Sequence, residues 1–230
     1  MTSQTKTIDT IKAVLIALFA ALILRQFVIA AYKIPTGSME NTLLIGDFLL
    51  VNKFVYGAQT PEWIGIPFTK IGRELPWFRF PSITEPKPYD IVVFKYPKDP
   101  YLDYIKRCIA VGGQTIESKN KRIFIDGHPF PIPPKIKYID RRILKRQYYD
   151  DTIFKEGNRD NFGPIKIPQN SYFVMGDNRD NSLDSRYWGF VPPENMVGRP
   201  LLIYLSLDPL TSAYHLYSKI RWNRLGKVIR

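Results

Sequence analysis

The sequence predicts a mostly β protein carried behind one N-terminal transmembrane helix. Three observations carry this expectation: an apolar run opens the chain, short apolar segments separated by turn residues fill the remainder, and 19 prolines in 230 residues leave little room for long helices. Hydrophobic residues at 45% beside charged residues at 23% fit a folded chain and exclude a disordered one. Lysine and arginine number 33 against 21 acids, a net charge of +12 that points to an anionic partner, phospholipid surface or nucleic acid, without choosing between them. A single cysteine, Cys108, excludes an internal disulfide framework and a thiolate zinc cluster.

Taken in order, the first element runs from Ala13 to Ala31, nineteen residues broken only by Arg25 and Gln26. That is close to the ~20 residues needed to cross a bilayer core. A cleavable signal peptide is the alternative, since Lys6 and Lys12 precede the run and Ala31 closes it. Arg25, two-thirds along the run, can snorkel to an interface, and a secretory apolar region is usually shorter and free of charge, which favours an anchor. Charge asymmetry gives a weak vote for residues 1–12 in the cytoplasm. Beyond Lys33 the helical period is lost. Strands are expected at Asp47 to Val55, Asp90 to Tyr96 and Ser171 to Gly176. Asp126-Gly127 divides two extended halves and predicts a hairpin. Pro61 to Pro88 reads as irregular; within it Trp63, Ile64, Ile66, Phe68, Leu75, Trp77, Phe78 and Phe80 suggest a lip dipping into a lipid interface. The basic cluster from Lys135 to Arg146 reads as a solvated surface, and no nucleic-acid-binding motif accompanies it.

Three segments concentrate chemistry. Ile34 to Asp47 presents Thr36 and Ser38 on a Pro-anchored turn, Asp103 to Gly113 places Lys106 between Ile105 and Ile109, and Gly176 to Pro192 is dense in Asp, Asn, Arg and Ser. A serine nucleophile needs a base. The two histidines, His128 and His215, lie near none of these segments, which leaves lysine. An unperturbed lysine pKa of ~10.4 is useless near neutrality, but burial among apolar groups lowers it by several units. The Ser-x-x-Lys arrangement of penicillin-binding enzymes fails, because Asn41 stands three residues after Ser38. No ligand set for a metal is visible, and no cofactor is expected.

The motifs IPTGSM, LIGDFLLVNKFVYG, PYDIVVFKYP, YIKR, GDNRDNSLDSRYWGFVP and the tail IRWNRLGKVI resemble bacterial type I signal peptidase, the membrane-bound Ser/Lys protease. The resemblance runs from about Arg25 to the C-terminus. It implies that Ser38 is the nucleophile and Lys106 the general base, with Ser182 holding the lysine amine and Thr36 completing the oxyanion hole. It places Arg107, Asp177, Arg179, Asp184 and Arg186 in support of the site, and Tyr32, Ile34, Tyr104 and Ile105 around pockets for small residues at −1 and −3. The implied fold is an all-β catalytic core, residues 32–113 and 169–230, with a smaller β subdomain inserted at 114–168. The implied substrates are signal-peptide-bearing preproteins. The implied location is the bacterial inner membrane, single-pass at 13–31, with the catalytic domain outside. One departure is AVGGQ, Ala110 to Gln114, where the family often has Gly-x-Pro-Gly-Asp. Two further readings stay open: another peptidase of the same fold, such as a conjugative-transfer maturation protease or a self-cleaving repressor relative, the latter opposed by the anchor and the full GDNRDNSLDSR loop, and a tethered β-domain that binds without cleaving.

Overall fold

The computed structural model describes residues 3–60, 63–65, 72–76, 78–148, 150–153, 157–212 and 214–229. Helix α1 (Ser3–Phe27) leads directly into strand β1 (Ile29–Lys33). The helix therefore ends four residues before the expected Ala31. Residues 29–33 instead pair antiparallel with β2 (Asp47–Asn52), in register from Ile29↔Asn52 to Lys33↔Phe48. The uncharged part of α1, Ala13 to Leu24, is twelve residues. At 1.5 Å per residue that covers roughly 18 Å of a ~30 Å hydrocarbon core. Among the described residues no helix is long and apolar enough to cross a membrane.

The strands that follow are β3 (Trp63–Gly65), β4 (Gly72–Glu74), β5 (Ile91–Tyr96), β6 (Asp99–Val111), β7 (Thr115–Lys119), β8 (Arg122–Ile125), β9 (His128–Pro129), β10 (Phe162–Lys166), β11 (Tyr172–Met175) and β12 (Met196–Ser206). They form a mostly antiparallel β protein: a six-stranded sheet in the order β1-β2-β12-β5-β6-β11, a four-stranded sheet β10-β7-β8-β9, and the ribbon β3-β4. The ribbon occupies part of the stretch expected to be irregular. Of its expected lipid-facing residues, Ile66, Phe68 and Trp77 lie outside the described residues, while Phe78 and Phe80 are exposed. Asp126 and Gly127 both take positive φ, 50° and 79°, the backbone a two-residue hairpin turn demands between β8 and β9.

Alternation along β2 is complete, with Asp47, Leu49 and Val51 buried, so one face of the main sheet supplies a core of Ile34, Met39, Leu43, Leu49, Val51, Ile91 and Val93. The opposite face packs Val92, Phe94, Cys108 and Val174 under Trp188. A third cluster joins Ile109, Phe173 and Met175 of the main sheet to Ile116, Ile123 and Phe162 of the four-stranded sheet, so the two sheets share apolar contacts. The segment Lys135 to Arg146 is not simply solvated. Lys137 N donates to Asp177 O at 2.8 Å and Arg179 N to Lys137 O at 2.9 Å, which binds this segment to the loop after β11, while Arg142 stays exposed.

Candidate active site

Ser38 lies in a single 3₁₀ turn, Gly37–Met39, between β1 and β2. Met39 is fully buried below the turn, and Thr36 enters it in an extended conformation with its side chain free of any capping bond. Lys106 projects from the middle of β6, opposite Val92 of β5. Its Nζ donates to Ser38 Oγ at 2.7 Å, although the two residues are 68 positions apart. The lysine is only 4% exposed. Burial drives its pKa from 10.5 down to about 8; Asp184 and Asp177 pull upward and Arg186 pushes further down. The Tyr104 ring lies 5.3 Å from the amine.

A cavity of about 260 Å³ opens onto this pair, lined by Ile34, Pro35, Thr36, Ser38, Tyr104, Ile105, Lys106 and Leu183. Of the residues expected from sequence, Ser38, Lys106, Thr36, Ile34, Tyr104 and Ile105 are thus brought together. Tyr32 is not among them. It lines a neighbouring cavity of about 230 Å³ with Gln26, Lys53 and Lys95, and burial together with the Asp103 carboxylate raises its pKa. Asp103 stands in both walls. Ser182 is buried in the loop after β11, but its hydroxyl meets no partner at hydrogen-bond geometry. It is close enough to Asp184 to favour that carboxylate's ionised form, and the Lys106 amine donates to Ser38 instead.

Buried ion pairs fix the surroundings. Arg107 Nε and Nη2 grip the Asp177 carboxylate at 2.8 and 2.6 Å, and Arg186 Nε and Nη2 both reach Asp184 at 2.8 Å. Burial opposes the Asp184 charge and Arg186 outweighs it, so this carboxyl sits below its ordinary pKa. Asp184 also caps the short helix α2 (Ser185–Trp188) and accepts from Gly176 N at 3.0 Å. Arg186 Nη2 donates to Arg179 O at 2.5 Å. Arg179 itself is buried with its Nε unpaired, and burial pushes its pKa down. A β-carbon on Gly176 would collide with Ser182 Oγ and Ser38 O, so only glycine lets the loop lie against the Ser38 turn. Among the described residues no group of three or more His, Cys, Asp or Glu side chains is placed to hold a metal ion.

The pattern that defines signal peptidase, peptidase S26, matches residues 7–205. The chain belongs to the S26 signal peptidases. Signal peptidase I of Pseudomonas aeruginosa is 36% identical over 224 aligned residues, which take in 88% of this chain and 74% of that protein. Signal peptidase I of Aquifex aeolicus is 34% identical, covering 91% of this chain and 94% of its own. A solved signal peptidase I from Enterococcus faecalis V583 is 28% identical with a TM-score of 0.37, covering 51% of this chain and 98% of that one. This S26 chain is an enzyme of the signal peptidase I type.

Several residues that hold the site of this S26 peptidase were not singled out from the sequence. Asn178 N donates to Ser38 O at 3.1 Å and its Nδ2 to Gly37 O at 3.0 Å, pinning two carbonyls of the turn that carries Ser38. Thr42 Oγ1 donates to Asp177 Oδ2 at 2.5 Å. Asp47, fully buried, accepts from Ser206 Oγ at 2.7 Å and from Arg224 Nε and Nη2 at 3.0 and 2.5 Å. The density of GDNRD pointed to the loop that contains Asn178, whereas Thr42, Asp47 and Arg224 acquire their partners only through the fold.

Proposed function

We propose that the enzyme removes signal peptides from exported preproteins with a Ser38/Lys106 dyad. The observation that carries this reading is the 2.7 Å contact between Ser38 Oγ and a lysine amine that is 4% exposed and depressed to about 8. At neutral pH roughly a tenth of such lysines are unprotonated, enough to act as a base. The neutral amine takes the hydroxyl proton as Ser38 Oγ attacks the carbonyl carbon of the scissile bond. The backbone N–H of Ser38 and the uncommitted hydroxyl of Thr36 hold the resulting oxyanion. The ammonium then protonates the departing amine, leaving an acyl-enzyme that water opens with Lys106 again as base. While the amine is charged it needs a second acceptor, a role that fits the unpartnered Ser182 hydroxyl. Arg107, Asp177, Arg179, Asp184 and Arg186 keep the loop rigid. Residues 32–113 and 169–230 form the catalytic unit and 114–168 its insert.

The walls at Ile34, Ile105 and Leu183 favour a small residue at −1. Helix α1 presents Val14, Leu15, Ile16, Leu18, Phe19 and Leu22 on several faces, each more than half exposed. A helix apolar all round needs an apolar phase, and we place α1 in the inner membrane with Lys12 and Arg25 drawn to its interfaces and the catalytic domain outside. A short apolar segment is accommodated by snorkelling and local thinning of the bilayer. The test is cleavage of a preprotein with Ala at −1. Ser38→Ala, Lys106→Met and the double variant should each abolish turnover to a similar extent, because the pair acts as one unit. Lys106→Arg should be equally inactive, since a guanidinium holds its proton. Turnover retained in any single variant would remove the dyad, and Phe at −1 cleaved as fast as Ala would remove the pocket.

A further inference from the structure

The basic segment from Lys135 to Arg146 contributes no residue to the cavity at Ser38. It is nevertheless fastened to the loop that holds the Ser38 turn. Lys137 forms an isolated parallel bridge with Asn178: its N–H donates to Asp177 O at 2.8 Å and its carbonyl accepts from Arg179 N at 2.9 Å. Three residues on, Asp140 N donates to Asp180 Oδ2 at 2.8 Å, while Lys121 Nζ reaches Asp180 Oδ1 at 2.9 Å and Asp140 O at 2.7 Å. The Lys137 backbone is thereby fixed on both sides of Asn178. Its ammonium pairs with Glu40 Oε2 at 2.9 Å, and Glu40 directly follows the turn Gly37–Met39. The same carboxylate oxygen accepts from Asn178 Nδ2 at 3.3 Å.

These contacts converge on one amide. Asn178 is fully buried; its Nδ2 donates to Gly37 O at 3.0 Å, and its Oδ1 has no partner. A buried carbonyl oxygen without a donor is costly, so something must hold the amide in the orientation that leaves it bare. Turned over, the amide would set Oδ1 against Gly37 O and the Glu40 carboxylate, acceptor against acceptor. Gly37 O already accepts from Glu40 N at 3.1 Å, and the carboxylate is the charged member of the two, so Glu40 decides the orientation. We propose that Glu40 and Lys137 are positioning residues for the reaction at Ser38. Lys137 holds the Glu40 carboxylate, the carboxylate orients the Asn178 amide, and Asn178 fixes the Gly37 and Ser38 carbonyls. The proposal rests on the reading of Ser38 and Lys106 as the reacting pair. With side chains 33% and 41% exposed, the ion pair adds little to stability. Its effect is on where Ser38 Oγ stands, to which the rate is far more sensitive.

The experiment uses the full chain in a neutral detergent and reads kcat, KM and melting temperature, with a soluble peptide carrying Ala at −1 as substrate. Glu40→Met and Lys137→Met should each lower kcat about tenfold while KM stays within about twofold of native. Their melting temperatures should stay within about 2 °C of native, because an exposed ion pair contributes little. Glu40→Gln, whose amide oxygen still accepts from Asn178, should keep kcat within about threefold of native. The double variant should be no slower than the slower single one, and on an Asn178→Ala background Glu40→Met should change kcat by less than about twofold, since all three act on one amide. Ser38→Ala is run beside them. Turnover surviving Ser38→Ala removes the reading of the reacting pair and this proposal with it. Turnover lost in Ser38→Ala but unchanged in Glu40→Met and Lys137→Met overturns the proposal alone. So do additive losses in the double variant, a loss that Glu40→Gln does not spare, or a loss accompanied by a fall of more than about 5 °C in melting temperature, which would make the pair a structural brace.

Discussion

Lys106→Met should inactivate the enzyme and, below about pH 8, make it more stable. Methionine matches the length and volume of the lysine stem, so packing changes little. What it removes is an ammonium in a desolvated site. A fall in pKa from 10.5 to about 8 means that the charged form is disfavoured in the folded protein. At ~1.36 kcal/mol per pKa unit the cost is about 3 kcal/mol. The lost hydrogen bond to Ser38 returns about 1 kcal/mol of that, leaving a net gain of about 2 kcal/mol for the variant near pH 6. For a chain of this size that is a rise of roughly 4–8 °C in melting temperature. Because the folded pKa is the lower one, the unfolded chain binds more protons between about pH 8 and 10.5, and native stability rises across that window. The variant has no such rise, so the two melting curves should cross near about pH 9.5. Thermal unfolding followed by circular dichroism in neutral detergent, at several pH values, reads this directly. A variant that melts below the native enzyme near pH 6 would falsify the claim that Lys106 carries an unfavourable charge there.

Other outcomes follow from the same geometry. The logarithm of kcat/KM should rise with unit slope below about pH 8 and level off above it, about 100-fold between pH 6 and the plateau; a flat profile from pH 6 to 9 would exclude a lysine base. Gly176→Ala drives a β-carbon into Ser38 O and Ser182 Oγ, so kcat should fall by about 100-fold with a smaller change in KM. Kinetics near native would mean that the loop does not set the nucleophile's position. Arg224→Met strands the Asp47 carboxylate in the core and should cost about 3–5 kcal/mol, seen in thermal unfolding; a variant as stable as native would show that the pair is dispensable. Cleavage should survive prolonged chelation, and a loss restored by zinc would contradict the lysine mechanism.

How much of this was legible in the sequence depends on how far apart the partners lie. The β5 and β11 strands and the Asp126-Gly127 hairpin are local statements, and their residues make them unaided. The want of a histidine near Ser38 pointed only to a lysine, the resemblance of IPTGSM and YIKR singled out Ser38 and Lys106, and the fold brings those two side chains to 2.7 Å. The end of α1 was not legible, because IAAYK is apolar enough to extend a helix and β-competent enough to pair. Hydrogen bonding to β2, eighteen or so residues away in chain order, decides between them. Tyr32 was expected beside Ile34 from the family resemblance. In the extended chain Tyr32 has the same parity as Ile34 and packs against the same core cluster as Ile34 and Ile105, and it lines the neighbouring cavity, whose wall shares Asp103 with the one at Ser38. The bonds from Thr42 to Asp177 and from Arg224 to Asp47 span 135 and 177 positions, and nothing local announces them.

Those long-range pairs bear on the chemistry as well as on stability. Burial is the main cause of the lowered Lys106 pKa, yet Asp184 and Asp177 lie close enough to pull it back up. Two free carboxylates near the amine would keep it charged. Each is instead held by an arginine in a two-point grip, Asp184 by Arg186 and Asp177 by Arg107, with no donor taken from the lysine. The negative charge is thereby matched inside each pair, and Arg186 adds a small push of its own against the ammonium. The density of Asp and Arg in GDNRDNSLDSR then has a reason beyond rigidity. A loop that must hydrogen-bond its own backbone tightly around Ser38 needs carboxylates, and carboxylates beside a lysine of lowered pKa need arginines to neutralise them.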